Sequence, residues 1–273
     1  MNSYSKMTFG YIRHNFLRSM GIMFIPMLLL GLLLHPMSIL EIIVSIGRKQ
    51  ETYGSFIEIF KKINGYTGAG RFVGIILIMI ISIGFLSVMS GFTRQKMRYG
   101  LDNRGRWTII GSHLNDNFIP VLKYLLLLFF SLEVVAVLLS TFLYTTIKLF
   151  KNALPMCLIL AMLSLLFELL FLSMSLLTIP NMTMKGFGLF KAFGHSVYSL
   201  SAKIFKVFFS IVWVMILMAL PMIFFVIFPF KGSSVLLSVF AILFYWVLAS
   251  YIGVLVYAVY FDVEELERED LKL

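Results

Sequence analysis

The stretch that decides the fold is WTIIGSHLNDNFIPV, residues 107–121, together with FKAFGHSVYSLSAKI, residues 190–204. Steps of three and four residues in the first stretch connect Trp107, Ile110, Leu114, Asn117 and Val121. The same steps recur 83 residues later at Phe190, Phe193, Val197, Leu200 and Ile204. Residues at this spacing line one face of a helix, and a long apolar run precedes and follows each stretch. We therefore predict two copies of one unit, in which an interfacial amphipathic helix lies between two membrane helices.

Composition places the chain in a membrane. Hydrophobic residues make up 60% of the 273 residues, charged residues make up 13%, and the mean hydropathy is +0.96. Soluble domains contain roughly 45–50% apolar and about 25% charged residues. The apolar runs are continuous over about twenty residues or more, whereas the strands of a membrane β-barrel alternate over about ten. We therefore predict an all-α, polytopic membrane protein.

Six apolar runs are long enough to cross a bilayer as helices. In a single integral membrane domain, residues 1–273, they cover residues 20–46, 72–92, 119–147, 155–179, 204–229 and 235–261. Pro26 and Pro36 interrupt the first run, and we expect a kink there, because neighbouring helices can satisfy the carbonyls that a proline frees. The acidic residues 262–273 follow the last run and predict a solvated cytoplasmic tail.

Residues 72–147 and 155–229 are predicted to be two copies of an internal repeat. At a shift of 83, the informative identities are Gly105/Gly188, Gly111/Gly194 and Lys123/Lys206. Because the shift spans two helices, the copies would be parallel and related by an axis along the membrane normal. Apolar residues in 9–23 have similar spacing and would allow a third, less regular copy of the repeat. Alternatively, any amphipathic segment before a membrane helix shows this spacing.

Lysine and arginine are unevenly distributed between the two sides of the predicted bundle. The side with both termini carries 15 of them and the opposite side carries 8. Basic residues gather at cytoplasmic loops, so we expect both termini in the cytoplasm. The formal net charge of +10 is then explained by contact with the anionic lipid head groups of the bilayer. Nucleic acid is not expected as a partner, since no basic stripe interleaves with exposed aromatic side chains.

Two glutamates lie deep inside predicted membrane helices, Glu133 in the third run and Glu168 in the fourth. A carboxylate at the bilayer centre costs on the order of 3 kcal/mol on insertion scales, so its presence asks for a reason. The two helices are consecutive and antiparallel, so the side chains could share a proton or hold a cation. Alternatively, each is protonated and hydrogen-bonds a neighbouring helix. His35 precedes Pro36. Its side chain either faces a polar cavity or forms a hydrogen bond with a backbone carbonyl that the kink leaves free.

Basic and histidine side chains on the predicted cytoplasmic side form a second candidate set. They could bind the phosphate of a lipid head group or of a solute. A solvated polar face on an interfacial helix explains the same residues. The set comprises Arg104, Arg106, His113, Lys123, Lys185, Lys191, His195 and Lys206.

No motif for a cofactor, a metal or a nucleophile occurs in the sequence. It contains no phosphate loop, no nucleophile elbow and no pair of histidines at metal-binding helical spacing. Cys157 is the only cysteine, which excludes an intrachain disulfide and a cysteine-built metal site. We therefore expect neither a cofactor nor a metal. An intramembrane enzyme is the least favoured function, because no nucleophile–base pair accompanies the two deep carboxylates.

Two stretches lead into predicted membrane helices: GRWTIIGSHLNDNFIPVLKYLLLLFF into the third and GLFKAFGHSVYSLSAKIFKVFF into the fifth. With this layout, the chain resembles a group of bacterial six-helix membrane proteins. That group is related to the membrane region fused to some glycerophosphodiester phosphodiesterases. The resemblance implies a module of the bacterial cytoplasmic membrane that serves lipid or envelope metabolism. Because the chain has no soluble phosphodiesterase domain, the resemblance transfers no catalytic residues.

These observations lead to two hypotheses about function. The first is a non-enzymatic membrane module that binds or moves a small solute or lipid, or supports a membrane complex that does. The alternative is a permease subunit of an ABC-type or other energised transporter, with an ATPase as its partner.

Overall fold

Long apolar runs with few turn-forming residues become long helices in this protein. The computed structural model describes residues 3–33, 36–49, 53–64, 69–100, 107–227 and 233–271. In chain order, their α-helices are Ser3–His14 (α1), Ile22–Leu33 (α2), Pro36–Gly47 (α3), Phe56–Ile63 (α4), Ala69–Tyr99 (α5), Trp107–Leu149 (α6), Leu154–Ser175 (α7), Thr178–Lys185 (α8), Leu189–Leu200 (α9), Ile204–Ile227 (α10) and Ser233–Val263 (α11). A π-helical segment, Leu17–Gly21, connects α1 to α2, and a 3-10 turn, Glu269–Leu271, follows α11.

Five of the described helical spans are long and apolar enough to cross a membrane. A sixth crossing results if α1 and the helix after it, which are bent by 91° relative to each other, count as one span. The predicted all-helical architecture, with several apolar helices of membrane-spanning length, is confirmed.

Helices α5 and α11 form the centre of the bundle, and α6 and α7 lie at its edge. In the apolar segments of α5 and α11, 44% and 39% of the residues are buried. The corresponding values are 22% for α6 and 17% for the span that begins with α7. Helix α2 packs against both central helices. Gly31 allows this approach, since a Cβ atom there would lie 2.7 Å from the Cα atom of Ile242 on α11.

Helices α2 and α3 together cover most of the first apolar run, and residues 34–35, where we predicted a kink, lie outside the described residues. Helix α2 ends at Leu33 and α3 begins at Pro36. The two helices also have different neighbours, because α2 contacts α11 and α5, whereas α3 contacts α7 and α6. Proline lacks the N–H that would continue a preceding helix and disfavours helical dihedral angles at the residue before it, but it fits the first position of a new helix. Pro26, in contrast, lies inside α2.

The two amphipathic stretches differ in the structure. Residues 107–121 are the first third of α6, which continues through Pro120, so they are not the separate interfacial helix that we predicted. The second stretch does form a separate helix, α9, and a turn at residues 201–203 separates it from α10. The two stretches differ near their ends, where α6 continues through Pro120, whereas Ser201 and the two residues after it form the turn that ends α9.

The buried side of each stretch is offset from the predicted apolar face. In the first stretch, the described residues that are buried are His113, Asn117 and Val121. In α9 they are Ala192, Ser196 and Leu200. Leu114 and Phe190 belong to the predicted faces, yet 38% and 83% of their surface is exposed. Lipid tails accept apolar side chains as readily as a protein interior does, so apolar spacing alone does not identify the buried side of a membrane helix.

Ser196 fixes α9 to the break between α7 and α8. Its hydroxyl donates a hydrogen bond to the Met174 carbonyl at 2.6 Å and accepts one from the Leu177 N–H at 3.0 Å. Ser196 is fully buried. One side chain of α9 therefore satisfies two backbone groups that the interrupted helix leaves unpaired.

Both ends of the described chain meet at one end of the bundle, here called the N/C face, which comprises α1, the last turns of α5 and α11, and residues 264–271. The Tyr4 hydroxyl donates a hydrogen bond to the Asp262 carboxylate at 2.6 Å, and the Lys203 ammonium forms an ion pair with the same carboxylate at 2.8 Å. Burial and this carboxylate raise the pKa of the Tyr4 phenol, so it remains protonated as a donor at neutral pH. Three elements are thereby joined at Asp262.

The residues after α11 are partly exposed and partly packed against the bundle, and Glu265, Leu266 and Glu267 are exposed, as we expect of a solvated tail. Arg268 is buried, and its guanidinium donates to the Asp270 carboxylate at 2.7 and 3.1 Å. The 3-10 turn that contains Asp270 contacts α5. Glu264 forms an ion pair with Lys185 of α8 at 2.6 Å. Of the two carboxylates, Glu264 has a basic partner on a neighbouring helix, whereas Asp270 pairs with Arg268 of the same segment.

Replacing Gly31 by alanine tests the close contact between α2 and α11. The added methyl group meets backbone atoms of Ile242, which cannot rotate away, so we expect a loss of about 1–3 kcal/mol in stability. The measurement is thermal unfolding of the purified protein in one fixed detergent. Gly194→Ala in α9 is the matched control, because a Cβ atom there meets open space. Equal midpoints for both variants would contradict the close packing.

Ser196→Ala tests the link between α9 and the α7–α8 break. The substitution leaves the Leu177 N–H and the Met174 carbonyl without their buried partner, and we expect a loss of about 1–3 kcal/mol. Ser201→Ala is the control, since this exposed hydroxyl bonds only to the Tyr198 carbonyl. Hydrogen exchange at residues 176–182 provides the local readout. Unchanged protection there would show that Ser196 does not hold the break.

Candidate functional site

Glu133 and Glu168 have different partners. Glu133 Oε2 accepts a hydrogen bond from Asn64 Nδ2 at 3.0 Å, whereas the two Glu168 oxygens lie 2.9 and 3.0 Å from the Ser131 hydroxyl that donates to them. Ser131 and Glu133 are two positions apart on α6, which places them about 200° apart around the helix, since each residue turns by about 100°. The two carboxylates are therefore engaged on opposite sides of α6. Within the described chain, no direct contact supports a proton or cation site shared between them.

Asn64, which donates to Glu133, belongs to the connection between the first and second apolar runs. The sequence predicts only a polar loop for this connection. Helix α4 lies alongside the second half of α6. The Tyr144 hydroxyl donates to the Gly54 carbonyl at 3.0 Å near the end of α6, and Asn64, just after α4, reaches Glu133. Tyr144 and Glu133 are eleven residues apart, or roughly 16 Å along the helix. The connection thus extends alongside α6 to the level of Glu133.

Two of the predicted head-group residues are engaged within the protein. The Lys185 ammonium forms an ion pair with Glu264 at 2.6 Å and lies 3.5 Å from His195 Nε2. The other ring nitrogen of His195 is hydrogen-bonded to the Ser199 hydroxyl at 3.1 Å. Lys185 and His195 therefore stabilise the packing of α8, α9 and the end of α11.

The remaining predicted residues are more dispersed. The Lys191 ammonium lies 4.5 Å from the centre of the Phe187 ring. Lys123 and Lys206 are exposed at the surface of α6 and α10. His35, Arg104 and Arg106 fall outside the described residues.

A basic cleft of about 350 Å³ lies at the N/C face between the end of α5 and the beginning of α6. This basic cleft is lined by Arg94, Gln95, Arg98, Tyr99, Ser112, His113 and Asp116. Of the predicted site residues that the structure describes, only His113 lines it. Two guanidinium groups and an imidazole face a single carboxylate there, so the cleft favours an anion.

Arg94 and Arg98 are one helical turn apart on the same side of α5. Arg94 is half-buried and Arg98 is exposed. Within the described residues, neither guanidinium forms an ion pair; Arg98 lies 5.2 Å from the Tyr99 ring centre in a cation–π arrangement. Arginine presents several N–H donors in a planar fork that matches phosphate and carboxylate oxygens. The pair thus offers donors to a ligand in the cleft.

His113 is held in place by α5. A Cβ atom at Gly91 would overlap the His113 ring, so only glycine allows the ring to lie against this helix. The ring stacks edge-on against Phe92 with centres 4.9 Å apart, and Nε2 lies 3.0 Å from the Gln95 amide oxygen, to which it donates. The Asn117 amide donates to the His113 carbonyl at 2.7 Å. These contacts make one wall of the basic cleft rigid.

A second cleft, of about 430 Å³, adjoins the basic cleft at Arg98 and is here called the acidic cleft. Arg98, Lys185, Glu264, Glu267 and Glu269 supply its charged lining. Met184, Tyr260, Phe261 and Leu266 supply the rest. Arg98 therefore lies between a basic site and a group of three carboxylates from residues 264–269.

Sequence reasoning missed Arg94 and Arg98 as site residues, although it counted them as basic residues of the second connection. Two signals were present: their spacing of four residues and their position directly after an apolar run. The spacing alone does not separate a binding pair from two solvated side chains. Only the fold shows that Asp262 and Glu264 pair with lysines and that, among the described residues, these arginines have no ionic partner.

Comparisons with known proteins identify no relative. No family model, no curated protein and no solved structure matches the chain. The resemblance to the membrane region of glycerophosphodiester phosphodiesterases therefore stays a prediction.

Proposed function

We propose that this protein is a non-enzymatic, multi-pass membrane module that binds a phosphate-class anion in the basic cleft. The ligand is either the head group of an anionic lipid or a free phosphate compound. The observation that carries the proposal is the pair Arg94 and Arg98, which lines one cleft and forms no ion pair within the described residues. The Asp116 carboxylate would repel an anion, but the two guanidinium groups carry two positive charges against its one negative charge.

The position of the basic cleft favours a lipid as the source of the phosphate. The apolar part of α5 extends to Phe92, and its charged part begins at Arg94. Such a boundary lies at the level of the head groups, where arginine and lysine interact with anionic lipid. Neither described cleft is lined by Glu133 or Glu168, so we propose binding at the membrane surface in place of movement past the glutamates.

The proposal includes the orientation of the bundle. The side with both termini carries the larger number of lysine and arginine residues, which supports a cytoplasmic N/C face. The contact between Tyr4 and Asp262 brings both ends to one face, which requires an even number of crossings. Six crossings satisfy this condition if α1 and the helix after it contribute one. The resemblance then supports the cytoplasmic membrane of a bacterium as the location.

The internal repeat also remains part of the proposal. At the shift of 83, His113 and Asn117 of α6 correspond to Ser196 and Leu200 of α9, and all four are buried. Equal burial at corresponding positions supports a common origin of the two units. The continuity of α6 and the separation of α9 from α10 then mark where the copies diverged.

Replacing both cleft arginines tests the proposed anion site. In Arg94→Gln/Arg98→Gln we expect binding of anionic lipid to weaken about tenfold or more, since a hydrogen bond to a charged group contributes about 1.5–3 kcal/mol. Binding is measured with the full-length protein in nanodiscs of neutral lipid, titrated with short-chain phosphatidylglycerol in one arm and with inorganic phosphate in the other. Tight binding in the first arm alone assigns the site to lipid.

Lys123→Gln/Lys191→Gln is the matched control. It removes the same number of positive charges from the surface, and neither lysine lines the basic cleft. If the control variant weakens binding as much as the arginine variant, the effect is a general surface charge and the cleft is not a site. The absence of binding to wild-type protein in both arms would overturn the proposal.

For the two glutamates we propose a structural role, because each joins a different segment to α6. The test is a double-mutant cycle of Glu133→Gln and Glu168→Gln, read by thermal unfolding. Separate partners predict that the two effects add to within about 0.5 kcal/mol, whereas a shared proton or cation predicts a coupling above about 1 kcal/mol. Asn64→Leu serves as the control, since it removes one hydrogen bond to Glu133 and leaves Glu168 and Ser131 unchanged. Strong coupling between the two substitutions would instead support a proton or cation site shared by Glu133 and Glu168.

A further inference from the structure

We propose that Asp116 determines which phosphate compound the basic cleft binds, by accepting hydrogen bonds from hydroxyl groups of the ligand. The ligand class is a phosphodiester whose alcohol part carries free hydroxyl groups, as in the lipid phosphatidylglycerol. This inference rests on the proposed function, because Arg94 and Arg98 would bind the phosphate of the same ligand. It adds a second point of recognition to the basic cleft.

The basic cleft has two walls that differ in charge. Helix α5 contributes the guanidinium groups of Arg94 and Arg98, and its neighbour α6 contributes the hydroxyl of Ser112 and the carboxylate of Asp116. Ser112 and Asp116 are four residues apart, so they lie on the same side of α6. The Ser112 hydroxyl donates its proton to the Ile109 carbonyl at 2.9 Å, which leaves its oxygen as an acceptor. A ligand between the helices therefore meets donors on one wall and acceptors on the other.

The carboxylate of Asp116 has no partner within the protein. Among the described residues it forms neither an ion pair nor a hydrogen bond, although two arginines line the same cleft. The residue is exposed, so water solvates the carboxylate when the cleft is free, and hydroxyl groups of a ligand can replace this water. An ionised carboxylate only accepts hydrogen bonds. The part of the ligand beside Asp116 must therefore be a donor.

The charge of the basic cleft distinguishes hydroxyl groups from other donors. With the imidazole of His113 neutral, two guanidinium groups and one carboxylate leave a net charge of one positive unit. A phosphodiester with hydroxyl groups carries one negative charge and balances this lining. A zwitterionic head group, whose donor is an ammonium, carries no net charge and does not balance it. A phosphomonoester carries about 1.5 to 2 negative charges at neutral pH and exceeds it.

The size of the basic cleft fits a head group. Its volume of about 350 Å³ lies near the lower end of the range for ligand pockets, which is about 300–1,000 Å³. Such a cleft has room for a phosphate with a short alcohol attached to it. The apolar part of α5 ends just before Arg94, so acyl chains on the phosphate would lie along the apolar surface outside the cleft.

Two matched lipids test the role of Asp116. Short-chain phosphatidylglycerol and short-chain phosphatidylethanol have the same phosphodiester charge, but only the first has hydroxyl groups on its head group. Both are titrated onto the full-length protein in nanodiscs of neutral lipid. We expect wild type to bind phosphatidylglycerol about fivefold more tightly, because a charged acceptor forms strong hydrogen bonds but this carboxylate is exposed to water.

In Asp116→Ala we expect the two lipids to bind with equal affinity. The loss of the acceptor weakens binding of phosphatidylglycerol, whereas the loss of a repelling charge does not weaken binding of phosphatidylethanol. The ratio of the two affinities is the readout, because a general change of surface charge alters both affinities by the same factor. Glu265→Gln is the matched control and should keep the fivefold preference, since this exposed glutamate lies at the N/C face and does not line the basic cleft.

A third ligand distinguishes the two sources of such a phosphodiester. Glycerophosphoglycerol has the same hydroxyl groups as phosphatidylglycerol but no acyl chains. An affinity equal to that for phosphatidylglycerol would assign the site to a free phosphodiester, and a much lower affinity would assign it to the lipid. Either result, together with the loss of preference in Asp116→Ala, supports the inferred ligand class.

Three results would overturn the inference and leave the proposed anion site in place. The first is a preference for phosphatidylglycerol that persists in Asp116→Ala. The second is equal affinity of wild type for both lipids, with both lost in Arg94→Gln/Arg98→Gln. The third is tighter binding of short-chain phosphatidylethanolamine than of phosphatidylglycerol, which would identify an ammonium as the donor. If neither anionic lipid binds to wild type, the proposed function fails and this inference fails with it.

Discussion

In an apolar environment no water satisfies a broken helix, and the interruptions of this chain depend on side chains that take its place. At the π-helical segment before α2, the Trp246 indole N–H donates to the Met20 carbonyl at 2.6 Å. Between α7 and α8, the Ser196 hydroxyl serves a carbonyl and an N–H at once. After α8, left-handed Gly186 lets the Phe187 N–H return to the Asn181 carbonyl. These contacts fix where the chain can turn, and they thereby determine which helices become neighbours.

Charge at the N/C face follows from the same packing. Asp262 and Glu264 stand at the end of α11, where Lys203 and Lys185 lie within ion-pair distance. Lys185 and Lys203 are thus paired with carboxylates at the end of α11, whereas the arginines at the end of α5 form no ion pair with any described residue. In the sequence, the basic residues of this side are spread evenly. In the fold, they line a basic cleft that adjoins an acidic cleft. The candidate site is the consequence of this unequal pairing.

Part of the candidate site could be predicted from the sequence. His113 was recognisable as a polar residue at the membrane boundary, and the structure places it in the basic cleft. Glu133 and Glu168 stood out because carboxylates are costly in a membrane core, but their partners could not be foreseen. Asn64 reaches Glu133 from a segment 69 positions earlier in the chain, and Ser131 differs from any other hydroxyl of α6 only by its position opposite Glu168.

The sequence by itself determined the class of the protein, because the length and apolar character of a helix that crosses a membrane are local properties. The tertiary structure alone decided which side of each helix is buried, because lipid and protein interior favour the same apolar residues. It also decided which charges are paired. Ion pairing depends on distances between residues far apart in the chain, and for this reason residues 107–121 identified the fold but not Arg94 and Arg98.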